Sequence, residues 1–161
     1  MLEKWMANYS SLALLILRAT IGIIFFAHGG QKLFGFFGGT GIAGTVETFS
    51  TLPIVFPALM AWIVSGIELF GGIALIIGIL TREFSLLLAM IMFGAIWTVH
   101  GPNGFFMANN GFEYNFALLG GCLSLAFSGG GALSLDVMFF PKPKWTFVKD
   151  PSQFKLEPPA E

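Results

Sequence analysis

Charge is scarce in this chain. Only 11% of its 161 residues are Asp, Glu, Lys or Arg, against about a quarter in ordinary soluble domains. Eight lysines and arginines face nine acidic residues, so there is no basic surface of the kind a nucleic-acid partner requires. Cysteine is confined to Cys122. That rules out an intramolecular disulfide and any CxxC thiol–disulfide chemistry. Histidine occurs twice, at His28 and His100, without HExxH, CxxCH or His-x3-His spacing. Nucleotide-binding glycine motifs and iron–sulfur cysteine spacings are missing too.

What the chain has instead is apolar length. Hydrophobic residues make up 55% of it, at a mean hydropathy of +0.80. Four stretches stand out, at 10–29, 57–80, 84–99 and 114–127. A membrane-spanning helix needs about 20 predominantly apolar residues, so four spans nearly exhaust the chain. The expected fold is all-α: an integral membrane four-helix bundle over residues 1–140, followed by a Pro/Lys-rich cytoplasmic tail at 141–161. No room remains for a separate soluble catalytic domain.

The first stretch reads as a retained helix rather than a cleaved leader. Arg18 interrupts its apolar centre, and Gly29, Gly30, Gln31 and Lys32 offer no small-x-small cleavage site. Trp5 and Tyr9 ahead of it suit an interfacial belt. Between the first two spans, residues 41–52 carry Ile42, Val46 and Phe49 at helical spacing, with Thr40 as the N-cap. A short interfacial helix is expected there. Thr81, Arg82 and Glu83 read as a tight polar turn, and Gly101 to Gly104 end the third span. Gly120, Ser124 and Ser128 form a small-residue stripe suited to close helix approach. Lys4, Arg82, Lys142, Lys144, Lys149 and Lys155 share one side of such a bundle, and Lys32 falls on the other. The positive-inside rule then puts both termini in the cytoplasm of a multi-pass protein of the bacterial inner membrane.

Against this background the buried ionisable residues stand out, because a charge at the bilayer centre costs a few kcal/mol even on lenient scales. Counted from Gly30 and Pro57, Arg18 and Glu68 lie at similar depths, about 16–18 Å at 1.5 Å per residue. They are expected to form a buried ion pair, either as a register clamp or as a functional element. His28, Gln31, Lys32, His100, Glu113, Tyr114 and Asn115 cluster at the outer helix ends. His28, Gln31 and Lys32 share a face by the i, i+3, i+4 rule. A polar rim around a small cavity is the favoured reading, with interfacial exposure as the bland alternative. Metal or haem ligation by His28, His100 and Glu113 has no diagnostic spacing to support it. Cys122 reads as a small core hydrophobe.

Taken together, LLILRATIGIIFFAHGGQKLFG (14–35), GIELFGGIALIIGILTR (66–82), VHGPNGFF (99–106) and GFEYNFALLGGCLSLAFSGGGALSLD (111–136) resemble the DoxX family of small bacterial membrane proteins. The likeness runs from about Leu12 to Asp136 and rests on the combination of motifs. These are an arginine before HG-x-x-K, E-x-x-GG, a TR pair, a helix ending in histidine, G-x-E-Y and a closing SLD. The resemblance implies a four-helix membrane bundle. The family name traces to a subunit of a thiosulfate:quinone oxidoreductase, and many members carry an oxidoreductase label. Arg18, His28, Lys32, Glu68, Arg82, His100, Glu113 and Tyr114 match its polar pattern.

Two classes of function follow as expectations. In the first, the chain is a redox-associated subunit. A quinone enters the cavity, His28, His100 and Glu113 exchange protons with it, and a partner protein supplies electrons. In the second, it is a non-enzymatic membrane assembly or scaffold partner for a redox or metal-handling system. A small-solute transporter ranks third, since four spans without an internal repeat make a poor alternating-access device.

Overall fold

A computed structural model of the protein describes residues 9–139. The expected tail at 141–161, and Lys4 and Trp5 at the other end, lie outside the described residues. Among the described residues six α-helices follow in order: α1 (Ser10–Phe34), α2 (Gly41–Ser50), α3 (Pro57–Ile77), α4 (Thr81–Ala95), α5 (Glu113–Ser128) and α6 (Asp136–Phe139). A π turn, Ile96–His100, prolongs α4, and a 3-10 turn follows at Gly101–Asn103. No strand occurs among the described residues.

The protein is an all-α membrane helical protein. Three helical segments, Ser10–Phe34, Pro57–Ile77 and Thr81–Asn103, are long and apolar enough to cross a membrane. Helix α5, with 16 residues, is shorter, about 24 Å long. Two boundaries differ from the sequence reading. Helix α1 runs on to Phe34, because Gln31 and Lys32 stay helical although polar. Thr81, Arg82 and Glu83 are the first turn of α4, not a connecting turn. The turn itself lies at Gly78–Leu80, where Gly78 takes a left-handed conformation (φ 75°) and its N–H bonds to the Ala74 carbonyl at 2.8 Å. Thr40 precedes α2 as expected, but its side chain makes no capping bond.

Helices α1 and α3 pack in antiparallel contact through glycine. A Cβ on Gly22 would sit 2.7 Å from the Gly72 carbonyl oxygen, one on Gly29 would strike the Leu69 backbone, and one on Gly72 the Phe26 backbone. Without Cβ atoms the two backbones approach as closely as small-residue membrane interfaces allow. Gly71, beside Gly72, faces the other way, toward Leu88 and Phe84 of α4. The adjacent glycines of the E-x-x-GG segment thus seat two different helices on α3. Gly121 receives Ile21 and brings α5 against α1. Ile21, Phe25, Leu75, Leu88, Met92, Leu118, Cys122 and Leu125 fill the core. Phe70, Trp97 and Phe127 point outward. The stripe of Gly120, Ser124 and Ser128 is exposed, and a Cβ on Gly120 would meet nothing within 4 Å.

The glycine contacts predict unequal tolerance along α3. Gly72→Val should lower stability by about 3 kcal/mol or more through overpacking against backbone. Gly66→Ala, where a Cβ meets nothing within 4 Å, should be neutral or mildly stabilising. Thermal unfolding in detergent separates the two, and equal losses would refute this packing.

Candidate functional site

The register set by these glycines overturns the expected ion pair. Arg18 and Glu68 do not meet. Gly29 stands opposite Leu69 and Gly22 beside Ile76, which slides α3 about eleven residues, roughly 16 Å, from the alignment that depth counting gives. Depth counting treated Gly30 and Pro57 as level. In fact α3 begins well beyond the end of α1, where its first turns meet α2.

Each charge has a different partner. Arg18, 2% exposed, donates from Nη1 to the carbonyls of Leu75 (2.9 Å) and Ile76 (2.7 Å), and from Nη2 to Leu133 (2.5 Å). Those of Leu75 and Ile76 belong to the last turn of α3, whose carbonyls have no intrahelical donor and lie at the negative end of the helix dipole. Arg82 does the same for α5, donating to Ala126 (3.0 Å), Phe127 (2.7 Å) and Ser128 (3.3 Å). Asp136 completes this end of the bundle. Its Oδ2 accepts the Thr81 N–H at 3.2 Å, at the start of α4, and its own N–H bonds to the Gly78 carbonyl at 2.8 Å. Gly78 has no room for a side chain here, since its Cβ would lie 2.5 Å from Arg18 Nη1.

Glu68, 1% exposed, is held instead by Lys32, whose Nζ lies 2.5 Å from Oε1 and 2.6 Å from Oε2. Two short charge-assisted bonds compensate the desolvated carboxylate. Lys32 is itself positioned by α2, because buried Thr45 donates to the Lys32 carbonyl at 3.0 Å. The pair borders a cavity of about 680 Å³ between α1, α3, α4 and α5, closed at one end by α2 and the loop before α5. That volume is typical of small-molecule sites. His28, Lys32, Glu68, His100, Tyr114 and Asn115 all line it, among mostly apolar walls that include Phe25, Met60, Ile67 and Ile91. Along α3 and α4 the lining reaches Ile63 and Met90, which are 41% and 56% exposed.

Four cavity side chains have defined settings. The His100 Nδ1 lies 2.9 Å from the Asn110 carbonyl. A carbonyl only accepts, so Nδ1 carries a proton and donates it there. The π turn just before Gly101 sets the direction in which this ring leaves α4. The rings of His28 and Tyr114 approach to 6.4 Å at an angle of 52°. Asn115 donates from Nδ2 toward the Met92 sulfur at 3.7 Å.

Two expected site residues fall elsewhere. Glu113 is not on the cavity wall: its Oε1 accepts the Met107 N–H at 2.7 Å and pins the loop before α5. Gln31 lies beneath the turn at Gly39, whose Cβ would crowd its backbone. Among the described residues, no group of three or more His, Cys, Asp or Glu side chains is arranged to hold a metal ion. The sequence reading missed Glu68 as a cavity residue, although its helical spacing from the glycine pair at 71 and 72 was visible. It also missed the arginine–carbonyl clamps, which no local motif announces.

A sequence model of the DoxX family matches residues 13–101. The chain is 37% identical over 128 residues to a Bacillus subtilis (strain 168) protein named "Putative oxidoreductase CatD", covering 78% of this chain and 86% of that one. It is 32% identical over 133 residues to the Inner membrane protein YphA of Escherichia coli (strain K12), covering 76% and 87%. It is 29% identical over 131 residues to the Inner membrane protein YqjF of the same organism, covering 81% and 95%. No solved structure matches the chain.

A double-mutant cycle tests the exchange of partners. Lys32→Met and Glu68→Gln should couple by more than about 1 kcal/mol, whereas Arg18→Met and Glu68→Gln should add within about 0.5 kcal/mol. Coupling in the second pair and additivity in the first would restore the Arg18–Glu68 pair.

Proposed function

This chain belongs to the DoxX family, and from that premise we propose that it is a redox-associated membrane subunit whose cavity receives a quinone head group. The observation that carries the reading is the cavity itself, apolar along its walls, with His28, Lys32, Glu68, His100 and Tyr114 converging on one end. A few placed polar groups in an apolar pocket are what orient a planar ligand with two carbonyl oxygens. In reduction the quinone takes two electrons, and each of its oxygens takes one proton, giving the quinol. Lys32 and the two histidines pass on these two protons, and Glu68 holds the Lys32 ammonium in place. The electrons come from the reduced cofactor of a partner protein. Tyr114 and Asn115 line the head-group end. Glu113 acts one step away, by fixing the loop that carries Asn110 and so the His100 ring.

The name of the Bacillus subtilis relative and the family's oxidoreductase label support the redox role, and the names of YphA and YqjF support the inner-membrane setting. The second reading, a non-enzymatic assembly or scaffold partner, draws on one observation: the small-residue stripe of α5 is open to another helix. In either case we place the protein in the bacterial inner membrane with α5 as its fourth span and both termini cytoplasmic.

Native mass spectrometry of detergent-purified protein should show a mass excess equal to one quinone. His100→Ala should lower quinone reduction in membranes by about tenfold to a hundredfold, the scale of a lost proton donor. A bare mass together with an unchanged His100→Ala rate moves the assignment to the assembly role. Orientation is checked in a Cys122→Ser background. Asn109→Cys should react with an impermeant maleimide from outside, and Glu83→Cys should be protected. The reverse pattern would invert the topology.

A further inference from the structure

The cavity has two sides of different chemistry. One holds the Lys32–Glu68 pair, with Glu68 1% exposed. The other runs out between α3 and α4 to Ile63 and Met90, 41% and 56% exposed. Both helices belong to segments long and apolar enough to cross a membrane. Ile63 lies six residues inside the start of α3 and Met90 ten residues before His100, about 9 and 15 Å from those ends. Both are apolar and exposed on segments of span length, as lipid-facing side chains are.

We propose that the cavity is open sideways to the bilayer between α3 and α4, and that its ligand is an uncharged lipid. The hydrogen-bond-accepting head of that lipid lies at Lys32, and its apolar tail leaves the protein between Ile63 and Met90. The head-group part rests on the quinone reading above, while the sideways opening stands apart from it.

Three observations carry the proposal. Helices α3 and α4 close on each other near their shared turn, where Gly71 receives Leu88 and Phe84, and cavity-lining residues separate them farther along. The opening therefore faces the membrane-spanning part of the pair. At its α4 edge stands Gly94, whose Cβ would meet nothing within 4 Å, so no side chain blocks the passage. Finally, Lys32 and Glu68 already neutralise each other. A charged head would bring an unpaired charge into a low-dielectric site, whereas an uncharged acceptor can share the lysine's remaining N–H bonds.

The test uses the full chain in lipid nanodiscs and a benzoquinone bearing a ten-carbon tail with a terminal diazirine. After irradiation, mass spectrometry should find the label concentrated on residues 60–67 and 87–94. Gly94→Leu, which fills open space, should cut that labelling about tenfold. Gly66→Leu, equally open but off the cavity wall, should leave it unchanged. Excess tail-less benzoquinone should displace the probe. Label spread evenly over the lipid-facing helices, or indifference to Gly94→Leu, overturns the sideways opening even if the tail-less head binds. Label on the α3–α4 face that the tail-less head cannot displace supports the opening and overturns the quinone-head reading.

Discussion

The close α1–α3 contact through Gly22, Gly29 and Gly72 decides where every buried charge goes. Two helices that touch backbone to backbone have few alternative registers, because a shift of one residue drives a Cβ into a carbonyl. Once that register is set, Lys32 arrives beside Glu68 at one end and Arg18 beside the terminal carbonyls of α3 at the other. An aliphatic interface would hold the helices farther apart and leave both pairings out of reach.

The polar residues then divide into two kinds. Arg18, Arg82 and Asp136 satisfy backbone groups that helix ends leave without partners. In hydrocarbon each such group would cost several kcal/mol. Three or more bonds from one guanidinium are an economical remedy, and the fixed fork of arginine suits it better than a lysine would. His28, Lys32, Glu68, His100, Tyr114 and Asn115 instead line the cavity. The first kind ties helix ends together, and the second lines the space between the helices.

Hydropathy made the long helices legible, since apolar runs of span length in a chain so poor in charge are at home only in hydrocarbon. Boundaries were misjudged where polar residues looked like breakers: Lys32 and the Thr81–Glu83 triplet are helical because water or a partner is near enough to serve them. The polar rim at one end was also readable, down to His28, Lys32, His100, Tyr114 and Asn115. The pairing of charges was not. It depends on register, and register depends on which glycines face which backbone, something depth counting from helix ends does not capture. Gln31 and Glu113 misled for a related reason. Helical periodicity gives a shared face, but the cavity occupies only part of one, and the adjoining loops claim the rest.

Arg18 also carries a consequence for biosynthesis. Its carbonyl acceptors lie 57, 58 and 115 residues farther along the chain. At about 5–20 residues per second, the last of them is made roughly 6–23 seconds after the arginine. Until the first two arrive, at about half that time, α1 carries its guanidinium without any of these acceptors, and until the last arrives one of the three bonds is missing. Its insertion is therefore coupled to that of α3, and is completed only when the Leu133 segment arrives. A helix made early in synthesis is thus among the last to be finished.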